Sequence, residues 1–149
     1  MEIKKKLYAY CLHEVRQRIE RIRSEIEKVQ TSANQETKSS AGDKYETGRA
    51  MAQQEVELNR RQLVEAERLE VTLLAMTLPT SNGIAAPGSL VTTSNGVFFL
   101  AISIGPIQLD KNQYFVISPE SPVGKMLMGK KPGARVSWND KEYIIQSID

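Results

Sequence analysis

The chain has 149 residues, room for one ordinary domain or two small ones, and is 40% hydrophobic but only 6% aromatic. Its formal net charge of +2 is too small for a protein that grips nucleic acid mainly through phosphates. Nothing approaches the run of about 18 apolar residues that a membrane span needs, and the charged N-terminus lacks the apolar stretch of a signal peptide, so a cytoplasmic protein with no membrane association is expected.

Charge and bulk are unevenly spread. Residues 1–31 carry eight Lys or Arg against five Glu, and residues 32–85 carry six against eight acids. Phe98, Phe99, Phe115 and the single Trp138 all lie in the second half, which places a compact core there and leaves a narrow seam for the first half.

In the first half, apolar positions run Ile3, Leu7, Cys11, Val15, Ile19, Ile22, Ile26 and Val29, which is helical spacing. A helix of about 28 residues, roughly 42 Å long, is predicted, with one stripe suited to one partner helix. Cys11 falls on that stripe and reads as a buried structural thiol, not a nucleophile. The Lys4-Lys5-Lys6 run reads as a solvated helix end, and the lone His13, beside the seam and without a partner ligand, does not suggest a metal site. Residues 32–42 lose the period and gather Ser, Thr, Asn and Gly, as a loop or frayed turn does.

A second helical pattern covers residues 43–78, with Ala52, Val56, Asn59, Leu63, Ala66, Leu69 and Leu73 on its seam. Asn59 is a polar group there, of the kind that sets register at some cost in stability. Pro79 and residues 80–83 end the helix. Two helices and a short loop are most simply an antiparallel hairpin within one chain; the rival is a parallel dimer through one seam.

After Pro87-Gly88 the character changes to strand. Residues 89–93, 97–104, 114–117, 135–138 and 143–148 are β-branched and aromatic, with Asn95-Gly96 as a hairpin signal and residues 138–141 as a tight polar turn. Ser121, Pro122 and Gly129 mark the start and stop of one short helix, whose Val123, Met126 and Leu127 face the sheet. Met126 and Met128 read as packing residues. The predicted fold class is α+β: an N-terminal antiparallel α-helical coiled-coil hairpin over residues 1–79, then a small domain of about five strands and one helix over residues 86–149. No Gly-rich phosphate loop or nucleophile triad is present.

The stretch Val116-Ile117-Ser118-Pro119-Glu120-Ser121-Pro122-Val123-Gly124-Lys125 resembles the "SxxSPIGRAL" segment of the Gre family of bacterial transcript-cleavage factors. Leu127-Met128-Gly129-Lys130-Lys131-Pro132-Gly133 resembles its "LxGKKxGD" continuation, and Arg135–Trp138 with Tyr143–Ile145 stands where the family has its closing strand pair. The resemblance spans the whole chain in layout and about residues 112–148 in motif. It implies a coiled-coil hairpin followed by an FKBP-like domain, although that layout does not imply prolyl isomerase activity.

Near residues 42–47 the family carries "GDLSENAEY". Here Gly42-Asp43-Lys44-Tyr45-Glu46-Thr47-Gly48-Arg49-Ala50 keeps the Asp and Glu, while Thr47, Arg49 and Ala50 replace the family's Asn, Glu and Tyr. The resemblance implies an accessory factor, not itself an enzyme. It would act as a monomer with no cofactor of its own, binding RNA polymerase and, through it, backtracked RNA. Asp43 and Glu46 would be its catalytic and metal-holding residues, sharing a Mg²⁺ ion with the polymerase. Taken alone, Asp43 and Glu46 also match a capping box, which merely starts a helix. A non-cleaving regulator entering the same secondary channel, and a coiled-coil protein outside transcription, are the alternatives.

Overall fold

The helical spacing of the first half becomes two long helices in the computed structural model, which describes residues 2–39, 43–78 and 82–149, with side chains described there except at 33, 35–39 and 43–46. Helix α1 is Glu2–Ser39 and helix α2 is Asp43–Ala75. α1 therefore continues through residues 32–39, which the loss of apolar period marks as a loop. The reason is propensity: no Gly or Pro occurs before Gly42, and Ala33, Gln35, Glu36 and Lys38 are good helix formers. The backbone stays helical after its seam has run out.

The predicted seam positions are the sheltered ones. Leu7, Cys11, Val15, Ile19, Ala66 and Leu73 are buried, and Ile22, Ile26, Val29, Ala52, Val56, Asn59, Leu63 and Leu69 are half-buried. Arg16 Nε donates to Glu70 Oε2 at 3.0 Å, and Arg23 Nη2 donates to Glu67 Oε1 at 3.5 Å. Partner numbers fall on α2 as they rise on α1, so the pair is an antiparallel hairpin within one chain. The chain divides into two compact units, His13–Val71 and Met1–Leu12 with Thr72–Asp149.

The second unit holds a six-stranded sheet of β1 Leu90–Thr93, β2 Gly96–Leu100, β3 Gly105–Leu109, β4 Asn112–Ile117, β5 Arg135–Trp138 and β6 Lys141–Ile148. Their order is β3-β4-β2-β1-β6-β5. Only β2 and β4 pair in parallel; the other neighbours are antiparallel. The strand expected over 97–104 stops at Leu100, and the chain returns as β3, which sequence inspection misses because Gly105-Pro106 reads as a breaker. Pro106 is tolerated because β3 is an edge strand, where a missing N–H costs no ladder bond. Asp110-Lys111 (φ 50° and 69°) and Asn139-Asp140 (φ 52° and 63°) turn the β3–β4 and β5–β6 hairpins with the left-handed pairs that two-residue turns use. Between β1 and β2 the tip is Ser94-Asn95; Gly96, at φ 125°, already pairs with Thr93. A Cβ on Gly96 would stand 2.9 Å from the Phe115 ring.

Side chains of the sheet sort onto two faces. Val91, Phe98 and Phe115 form one cross-strand row, with Phe98 stacked on Phe115 at 5.3 Å and edge-on to Tyr143 at 5.8 Å. Helix α3, Pro122–Leu127, covers this face and adds Leu127 to the core with Leu100, Ile145 and Ile148. Leu90, Phe99 and Val116 form the opposite row and are equally buried. The ends of α1 and α2 belong to this same unit. Lys4, Leu7 and Leu73 are buried, the Tyr8 hydroxyl donates to the Leu73 carbonyl at 2.7 Å, and Lys6 Nζ reaches Asp110 Oδ2 at 2.9 Å on the β3–β4 turn.

The Lys4-Lys5-Lys6 run is thus not a solvated helix end. Lys5 is exposed, but Lys4 is only 1% exposed and Lys6 is ion-paired. Helical periodicity turns Lys4 to the same side as Leu7 and Cys11, and that side is buried.

Candidate functional site

The candidate acidic residues stand at the start of α2. Asp43 is its first residue and Glu46 lies three further on, a separation that puts both on one side of a helical turn. The hairpin is antiparallel, so this turn belongs to the same end of the helix pair as the last turn of α1, with residues 40–42 between them. Carboxylates in a first turn are favoured by the unpaired N–H groups and positive end of the helix dipole. The side chains of Asp43 and Glu46 lie outside the described residues, and so does the capping-box geometry.

Beyond the acidic turn, the seam narrows to small residues. Val29 and Ala52 border two open grooves along the helix pair. A groove of about 800 Å³ is lined by residues including Gln30, Asn34, Arg49, Gln53 and Arg60. A second, of about 390 Å³, is lined by residues including Lys28, Ser32, Gly48, Met51 and Glu55. Of the three departures from the family pattern, Thr47, Arg49 and Ala50 are all exposed. Further along, the Asn59 side chain enters the seam, and its Nδ2 is buried without a hydrogen-bond partner.

The remaining candidates keep structural roles. Cys11 is fully buried in the seam and His13 is exposed. Met128 packs against the sheet core and Met126 is half-buried. Among the described residues no group of three His, Cys, Asp or Glu is placed to hold a metal ion, and no helix is long and apolar enough to cross a membrane.

The residues that carry the C-terminal resemblance build the turn from β4 into α3. Ser121 Oγ donates to the Ser118 carbonyl at 2.6 Å and accepts from the Gly124 N–H at 3.1 Å, capping the helix. Ser118 Oγ accepts from the Glu120 N–H at 3.1 Å, and Pro122 occupies the first turn. Gly124 is required because a Cβ there would run into the Ser118 carbonyl oxygen. These residues therefore speak to how the domain folds, and the chemistry must be sought elsewhere.

Sequence reasoning missed two features. Burial of Lys4 pushes its amine below the usual lysine value, a shift partly opposed by nearby Asp149. The hydrogen bond and charge of Asp110 raise Lys6 above the usual value. The signal for Lys4 was its step of three from Leu7, but a lysine on an apolar stripe is ordinarily taken to reach back to water.

No family model matches the chain, and no curated protein matches it. Among solved structures, the chain is similar to the structure of the transcription factor Gfh1, at 18% identity and a TM-score of 0.39, with 93% of this chain and 92% of that one covered.

Proposed function

We propose that the chain is an RNA polymerase-binding factor of Gre type that enters the secondary channel and stimulates cleavage of backtracked RNA. The observation that carries this is the placement of Asp43 and Glu46 in the first turn of α2, at the end of an antiparallel helical hairpin. The Gre-like segments over residues 112–148, which here form the β4–α3 turn and the β5–β6 hairpin, support the same reading.

Two carboxylates fit a hard, oxygen-seeking ion but are too few for a complete site, which suits an ion shared with a second protein. When bound between factor and polymerase, Mg²⁺ would stabilise the developing charge on a phosphodiester under attack by water. Asp43 and Glu46 would hold that ion and orient the water, and the polymerase would supply the rest of the active centre. The factor is then an accessory that completes another protein's catalytic site.

The exposed Thr47, Arg49 and Ala50 favour a second reading, a regulator that enters the same channel without stimulating cleavage, because they replace an amide, a carboxylate and an aromatic of the family pattern. An assay on stalled elongation complexes with Mg²⁺ separates the two. The first reading expects shortening of the stalled transcript by the wild-type chain and none by Asp43→Ala/Glu46→Ala, with polymerase binding retained. No shortening by the wild-type chain at saturating, bound concentration favours the regulator. Failure to bind polymerase at all overturns both.

A further inference from the structure

β5 ends the sheet, and its outer edge is open. Pairing sets Trp138 opposite Lys141, Ser137 opposite Glu142, Val136 opposite Tyr143 and Arg135 opposite Ile144. In an antiparallel ladder, alternate residues turn their backbone groups toward or away from the partner strand. Ile144 turns away from β5: its N–H donates to Ser94 Oγ and its carbonyl accepts from the Ser94 N–H, both at 3.0 Å. The Glu142 carbonyl likewise accepts from Asn95 Nδ2 at 2.6 Å. Their opposite numbers, Arg135 and Ser137, therefore direct N–H and C=O out of the sheet edge, where neither makes a backbone hydrogen bond among the described residues. Two such sets, two residues apart, are what an incoming strand requires.

Bases outnumber acids on and beside that strand: Lys130, Lys131, Arg135 and Lys141 stand against Asp140 and Glu142, all of them exposed. Lys130 and Lys131 lie just before β5, Lys141 lies across from Trp138, and all three are exposed and outside any ion pair among the described residues. Arg135 is only loosely held by Glu142, at 3.5 Å, with its side chain 72% exposed. Trp138, the single tryptophan, is 43% exposed at the far end of the strand.

We propose that β5 is a docking edge for an extended acidic peptide segment of another protein. The segment adds as a further strand along Arg135–Trp138, with its carboxylates on the face of Arg135, its apolar side chains on the opposite face beside Trp138, and Lys130 and Lys131 adding positive charge before the strand. Charge favours an acidic segment over a second copy of this chain, which would bring the same excess of bases against itself. Backbone chemistry argues against nucleic acid, because phosphates offer only acceptors and leave the outward carbonyls of Arg135 and Ser137 unmatched. The proposal does not rest on the reading of Asp43 and Glu46.

The test uses the full chain and three labelled probes: an octapeptide alternating Glu and Val, its Lys–Val counterpart, and a single-stranded octanucleotide. The Glu–Val peptide is expected to bind saturably by fluorescence anisotropy, to move the Arg135 and Ser137 amide signals in NMR spectra, and to alter Trp138 emission. Ser137→Pro removes an outward N–H without touching the β5–β6 ladder, so it should abolish binding with an unchanged melting temperature. Lys130→Glu/Lys131→Glu should weaken binding about tenfold. Absence of saturable binding, tighter binding of the oligonucleotide, full binding by folded Ser137→Pro, or amide shifts away from β5 each overturn the proposal. Should Ser137→Pro fail to fold, the amide shifts and the charge variant decide.

Discussion

Asn59 stands on the apolar seam that periodicity marks, and Lys4, outside that seam by sequence, is buried beside it. A buried amide N–H without an acceptor loses its hydration and gains nothing in return, at a cost of about 1–3 kcal/mol. Asn59→Leu is therefore expected to stabilise the hairpin by about 1 kcal/mol or more, measured by urea unfolding; an unchanged or lowered midpoint would show the amide to be satisfied in solution. Lys4 has the opposite test, through pH. Its folded-state value lies below the ordinary 10.5 because burial disfavours the ammonium. Between those two values the Lys4 amine binds more protons in the unfolded chain, so its contribution to stability rises with pH across that window and is constant below it. Lys4→Met lacks this rise, and the difference in stability between variant and wild type should shift toward the wild type as pH approaches 10.5. A pH-independent difference would place the Lys4 amine in water.

Elements of this chain are started and stopped by a few local groups. α3 is six residues long and owes its geometry to Ser121, Pro122 and Gly124. Ser121→Ala removes the cap acceptor and also a donor to the Ser118 carbonyl, and should cost about 1–2 kcal/mol. Gly124→Ala should cost more, because the methyl group meets backbone oxygen with no flexible side chain to yield. Thermal unfolding of both variants checks the order; Gly124→Ala milder than Ser121→Ala would contradict it. In the hairpin, Arg16–Glu70 and Arg23–Glu67 are largely exposed, and each contributes at most about 1 kcal/mol. Alignment of the helices must come mainly from the buried seam, so Arg23→Ala should change stability far less than Val15→Ala.

At the scale of the whole molecule, the sheet unit takes part of its core from the chain's first dozen residues. Leu7 is fully buried there, and Leu7→Ala should cost about 2–5 kcal/mol. Removing residues 1–12 should leave Leu90, Phe99 and Val116 uncovered and produce an aggregating protein. By contrast, replacing residues 13–71 with a short Gly/Asn loop should leave a folded sheet unit, since Tyr8 and Leu73 are already in hydrogen-bond contact. Circular dichroism and sedimentation of the two truncations distinguish them; equal behaviour would mean that the N-terminal segment is dispensable to the sheet.

Much of this architecture was legible in the residues themselves. Apolar spacing located both seams down to Ala52 and Leu73, and Ser121-Pro122 with Gly129 located α3, because helical period and capping are local properties that each segment carries alone. The acidic pair was equally legible as a position, Asp43 and Glu46 in the opening turn of a helix, and its use by a polymerase rests on resemblance. Other features came only with the structure. α1 outran its seam, β3 formed through Gly105-Pro106 because an edge tolerates proline, Lys4 was buried, and Arg135 with Ser137 kept an open edge. The extension of α1 is a matter of local propensity that apolar period does not record; the others depend on which neighbour a residue meets across the fold, and pairing between distant segments leaves no periodic trace in the chain.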